Sequence, residues 1–140
     1  MILFNANKAV RPEDAVGHGV GGNTKVATGV YTLTAALTQG QVIPMVAVPA
    51  GARVLDVTLS ADDLDGGAGL ALDVGDGADA DRYLAASTVA QGGGVARLST
   101  HAGHGYRYAA GDTIDVTVQT APAAGATSGS LKLSVLFVID

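Results

Sequence analysis

The chain has 140 residues, enough for one domain with a real core, and its 48% apolar content excludes a wholly disordered polypeptide. Its net charge of −5, with eight Lys and Arg in all, argues against nucleic acid and against an anionic membrane surface, since both demand clustered cations. There is no Cys, so no disulfide framework and no thiol chemistry, and no apolar run could span a bilayer as a helix.

Residues 1–28 show no strong periodicity, and we read them as an N-terminal arm. Ile2, Leu3 and Phe4 form an apolar tip, too short for the core of a signal peptide. Arg11-Pro12-Glu13-Asp14 could open one helical turn, and Gly17 to Asn23 is turn-prone. Such a segment is either a frayed terminus or an arm that orders on a partner, with Ile2 to Phe4 as its anchor. Residues 29–140 read as one β-sandwich domain.

Val26 to Thr34 is the first strand, rich in Val, Thr and Tyr. Val42 to Val48 is the second. Pro44 cannot donate to a ladder, so this strand belongs at an edge or carries a bulge. Pro49-Ala50-Gly51 turns the chain into a third strand, Arg53 to Ser60, where Leu55, Val57 and Leu59 alternate with polar residues. An acidic turn, Asp62 to Gly67, leads to a fourth strand in which Leu70, Leu72 and Val74 alternate with Ala71 and Asp73.

A second acidic loop, Gly75 to Asp81, precedes a short fifth strand at Arg82 to Ala86. Val95 to Ser99 is a sixth, and Tyr106-Arg107-Tyr108 a brief seventh. Thr113 to Gln119 repeats the pattern of the third strand, with Ile114, Val116 and Val118 on one side. We attribute that likeness to common strand composition. In the last strand Leu131, Leu133, Val135, Phe137 and Ile139 share a face, while Leu136 and Val138 make its end apolar on both sides. A strand of that kind is central in its sheet or covered by another subunit. Aromatics are only 4% and Gly numbers 20, so the core is aliphatic and the turns are many. Seven to nine short antiparallel strands, and no sustained helical stripe, predict an all-β, jelly-roll-like sandwich.

Few constellations carry chemistry. Asp73, Asp76, Asp79 and Asp81 invite a calcium reading, because hard cations want several oxygens at once. The spacing is not that of an EF-hand, and no Glu closes the site. Pairing of Asp79 or Asp81 with Arg82, or capping of backbone amides, is the alternative. His101 and His104 lack further ligands of the type zinc takes, and His18 is far off in the arm. Ser87, His104 and Asp112 could be drawn as a triad, but no nucleophile elbow marks them, so we expect no enzyme and no cofactor. Tyr83, Tyr106 and Tyr108 could form a small sugar-binding platform.

The run Val48-Pro49-Ala50-Gly51-Ala52-Arg53-Val54-Leu55-Asp56-Val57 resembles small virion proteins of tailed bacteriophages. So do Leu72-Asp73-Val74-Gly75-Asp76-Gly77, Asp79-Ala80-Asp81-Arg82-Tyr83, and Tyr108-Ala109-Ala110-Gly111-Asp112-Thr113-Ile114. These are head decoration or minor structural proteins. The resemblance covers the central and C-terminal parts, not the arm, and it is a pattern of turns and strands.

It implies a protein that binds the outer surface of the major capsid protein lattice and stabilises it. It also implies a homo-oligomer, a trimer, located on the virion after assembly in the bacterial host cytoplasm. Within that picture Ile2, Leu3, Phe4, Leu136 and Val138 are the expected partner-binding residues. The alternative is a tail or adsorption-apparatus protein of the same virion, with or without carbohydrate binding.

Overall fold

A computed structural model describes residues 24–139, which form eight strands. They are β1 (Lys25–Thr32), β2 (Val42–Val48), β3 (Ala52–Ala61), β4 (Ala71–Gly75), β5 (Leu84–Ser87), β6 (Gly94–Arg97), β7 (Asp112–Thr120) and β8 (Ser130–Ile139). A single 3-10 turn, Val89–Gln91, lies between β5 and β6. No helix among the described residues is long and apolar enough to cross a membrane.

Two four-stranded antiparallel sheets face each other, in the orders β1-β8-β3-β6 and β2-β7-β4-β5. Only β4 and β5 are consecutive neighbours within one sheet. Every other connection crosses between the sheets, which is the winding of a jelly roll. The expected all-β sandwich is therefore the observed fold.

Period two places the core. From the first sheet Val57, Leu59, Leu133 and Val135 point inward, and from the second Leu72, Val74, Ile114, Val116 and Val118, all fully buried. Truncating one of these leucines to Ala would cost about 2–5 kcal/mol, because the close-packed interior cannot collapse into the gap.

Two strands depart from strict alternation. In β2 the register shifts between Pro44 and Val46, so the Pro sits on an edge strand and also beside a bulge. In β3 the register shifts between Val54 and Asp56, which makes Leu55 the extra residue. The face expected to hold Leu55, Val57 and Leu59 is instead made by Val54, Val57 and Leu59, each fully buried, with Leu55 only half-buried. A bulge inserts one residue and so reverses the facing of everything before it.

The brief strand expected at Tyr106 to Tyr108 is not a strand. It is an isolated bridge, Arg53 to Arg107, alongside the start of β3. The tight turn through Gly103 and Gly105 leaves no length for a ladder, although the Val54 amide donates to Tyr106 and the Tyr108 amide to Ala52, both at 2.8 Å. The last strand is apolar on both sides because β8 is central, paired with β1 on one side and β3 on the other. The first strand, expected at Val26 to Thr34, is β1 at Lys25–Thr32, so it takes in the last residues of the segment 1–28 read as an arm. Ile2, Leu3, Phe4 and His18 lie outside the described residues.

Candidate interaction surface

The acidic loop after β4 is held by a buried polar network. Asp76, 4% exposed, accepts from Arg82 Nε at 2.7 Å and from the Tyr108 hydroxyl at 2.9 Å on Oδ2. Its Oδ1 accepts from Arg82 Nη2 and from the amides of Ala78 and Asp79. The Tyr83 hydroxyl lies 2.7 Å from that of Tyr108, whose own proton is committed to Asp76, so Tyr83 donates. The guanidinium of Arg82 stacks 3.7 Å over the ring of Tyr106, which meets Tyr108 edge-on.

Burial works to raise the Asp76 pKa, but the charge-assisted bonds to Arg82 and the Tyr108 hydroxyl prevail and hold it below the usual carboxylate range. The Asp76 partner in turn raises Arg82, and burial raises both Tyr83 and Tyr108.

A second carboxylate ties two loops together. Asp65, 2% exposed, accepts from the amides of Gly67, Gly69 and Leu70 in its own loop and of Ala123 and Ala124 in the loop before β8. Burial opposes its ionisation, yet the converging amides win and lower its pKa well below the ordinary value.

The two outer faces of the sandwich differ in charge. On the first sheet the register aligns Val30, Lys132, Ser60 and Val95 in one row, and Thr28, Ser134, Thr58 and Arg97 in the next. Arg97 pairs with Asp56. On the second sheet the outward positions of β4 and β7 carry Asp73 and Asp115. The loop at Asp79 and Ala80 folds over Gly75, so closely that a Cβ there would overlap both carbonyl groups. Asp115, opposite Gly75, is 9% exposed, and its Oδ1 has no hydrogen-bond partner among the described residues. Burial first, then the charges of Asp112 and Asp76, raise its pKa against a hydrogen bond from Thr113.

The chain is similar over its full length to a chain of the cyanophage Pam1 capsid asymmetric unit, with 36% identity, 100% of both chains covered and a TM-score of 0.79. This chain belongs to a family of bacteriophage virion structural proteins. A chain of the capsid of Ralstonia phage GP4 is similar to this virion protein at 27% identity, covering 92% of it and 93% of that chain, with a TM-score of 0.78. A chain of the acid-stable capsid of Helicobacter pylori bacteriophage KHP30 shares the fold at 17% identity, with a TM-score of 0.57 over 84% of this chain and 94% of that one. No protein-family model matches the sequence, and no curated protein does.

In this virion protein the three tyrosines do cluster, but inside. Tyr83 is 0% and Tyr108 4% exposed, and Tyr106 is half-buried under Arg82, so they offer no platform to a sugar. Of the calcium candidates, Asp76 is taken by Arg82, Tyr108 and two amides, and Asp73 accepts from the Ala86 amide at 2.7 Å. Asp79 lies 3.9 Å from Arg82, and Asp81 is exposed. No group of three or more acids and histidines among the described residues is placed to hold a metal.

Ser87, His104 and Asp112 each make a separate local contact, with the Val89 amide, the Leu55 carbonyl and the Thr113 amide. Leu136 is half-buried beside the exposed Val26, whereas Val138, 7% exposed, offers little surface to a partner.

Proposed function

We propose that this virion protein decorates a tailed-phage capsid, binding the outer surface of the major capsid protein lattice as a homotrimer and stabilising it. The end-to-end likeness to a chain of the Pam1 capsid asymmetric unit carries this reading. The form of the domain supports it. A rigid jelly roll with two pinned loops suits a protein whose task is to bear load rather than to turn over a substrate. The trimer follows from the family resemblance. Residues 1–23, with Ile2, Leu3 and Phe4, supply the anchor to the shell.

The test is co-sedimentation of the purified protein with mature heads and with unexpanded shells of the virus that encodes it. Saturable binding to mature heads alone is expected. Binding to neither overturns the decoration role. Deleting residues 1–23, and not 1–28, leaves β1 intact. The shortened protein should keep its melting temperature and bind heads much more weakly.

A further inference from the structure

The outer face of the β1-β8-β3-β6 sheet sets small polar and apolar side chains between a few charges. Its rows hold Thr, Ser and Val, and three of the five exposed large apolar residues among the described residues stand on it: Val26 at 64%, Val30 at 61% and Val95 at 63%. Depletion of charge around apolar side chains distinguishes the centre of an interface from ordinary surface. Of the cations in these two rows, Arg97 is paired with Asp56. Lys132 is exposed on the central strand, between Val30 and Ser60, and has no carboxylate partner among the described residues.

The complement of this face lies on the same molecule, on the opposite sheet. Asp79 and Asp81 stand in the loop that folds over Gly75 on the outer side of the β2-β7-β4-β5 sheet. Asp81 is exposed, and the charges of Asp79 and Asp73 act on it. A hydrogen bond shared with Asp79 comes first, and with the charges of Asp79 and Asp73 it raises the Asp81 pKa. The exposed acids of this loop and the unpaired Lys132 lie on opposite sheets, so the sandwich keeps them from meeting within one chain. They can meet between two copies.

We propose that the outer face of the β1-β8-β3-β6 sheet docks on a second copy of this chain, with Lys132 against Asp79 and Asp81 of the next protomer and Val30 and Val95 at its apolar flanks. Different faces meet, so the contact is head-to-tail, and a head-to-tail contact closes into a ring when its rotation allows. This inference rests on the homo-oligomer reading above and names the surfaces that build it.

Sedimentation velocity of the full chain tests it, with Lys132→Glu, Asp81→Lys and the combined variant, each checked for an unchanged melting curve. Each single reversal should weaken association about tenfold or more, since like charges then face each other. The combined variant should restore it. Val30→Asp should dissociate the oligomer, and high salt should weaken the wild type.

An oligomer indifferent to both reversals overturns the docking face while the homo-oligomer stands. A wild type that stays monomeric, alone and on heads, overturns both. Loss of head binding in Lys132→Glu without any self-association would assign this face to the shell and overturn the proposal.

Discussion

The carbonyl of Met45 occupies the space into which a Cβ on Gly29 would project. Met45 is the extra residue of the β2 bulge, and Gly29 lies on β1 across from Leu133, on the inward side of its strand. The two edge strands of opposite sheets therefore close one side of the sandwich by backbone-to-backbone approach, which only Gly permits. Gly29→Ala should cost about 1–3 kcal/mol in urea unfolding, as overpacking against an unyielding backbone does. Gly77→Ala, where nothing lies within 4 Å, is the control and should be near neutral. Equal effects at the two positions would refute the close-approach argument.

Tyr108→Phe removes the hydroxyl that donates to Asp76 and accepts from Tyr83. It leaves a buried hydroxyl without its acceptor and a buried carboxylate short of one donor, a loss of about 1–3 kcal/mol. Adding Tyr83→Phe should cost little more, because the stranded hydroxyl goes with it. A double-mutant cycle checks this, and strictly additive losses would show that the two hydroxyls are not coupled.

Stability should peak on the acid side of neutral. Asp65 and Asp76 have lowered native pKa values, so their contribution is present above the ordinary Asp pKa and is lost as pH falls through their native values. Asp115 and Asp81 are raised, so their contribution is fully present below the ordinary Asp pKa and is lost as pH rises through their native values. Melting temperature followed from about pH 3 to about pH 8 should rise and then decline toward neutrality. Asp115→Asn should flatten the declining limb, since it no longer has a charge to desolvate. A melting temperature that climbs without a break to neutral pH would contradict this assignment.

Asp65→Ala should loosen two loops that are far apart in sequence. Hydrogen exchange at the amides of Gly67, Gly69, Leu70, Ala123 and Ala124 should accelerate together, because all five donate to the one carboxylate. Acceleration confined to Gly67, Gly69 and Leu70 would show that the loop before β8 is held by other means.

Much of this architecture is legible in residue order. The limits of β2 and its Pro44 irregularity follow from a β-rich run with one missing donor, and β7 and β8 from clean alternation. What escapes is whatever depends on a partner distant in sequence. Nothing local marks Leu55 as a bulge, because its neighbours still alternate, and only the pairing with Phe137 and Leu136 exposes the extra residue. Asp65 reads as one more turn acid until the loop before β8 brings it two further amides. The tyrosines are legible as a cluster but not as a buried one, since their burial depends on Asp76 waiting inside to accept a hydroxyl. The pairing of Arg82 was within reach of sequence, but its main partner is Asp76, with Asp79 at the margin.

β8 carries the first sheet on both flanks. Among the described residues β1 pairs with no other strand, and β3 pairs with β8 along almost its whole length. As the chain is made, β1 comes out before β8 and has no ladder partner among the described residues until Ser130–Ile139 follow. The first sheet therefore closes only once β8 has been made, and a chain cut short before β8 leaves two long edges open to any neighbour. Adding β8 is the step that turns two open strand edges into one continuous sheet.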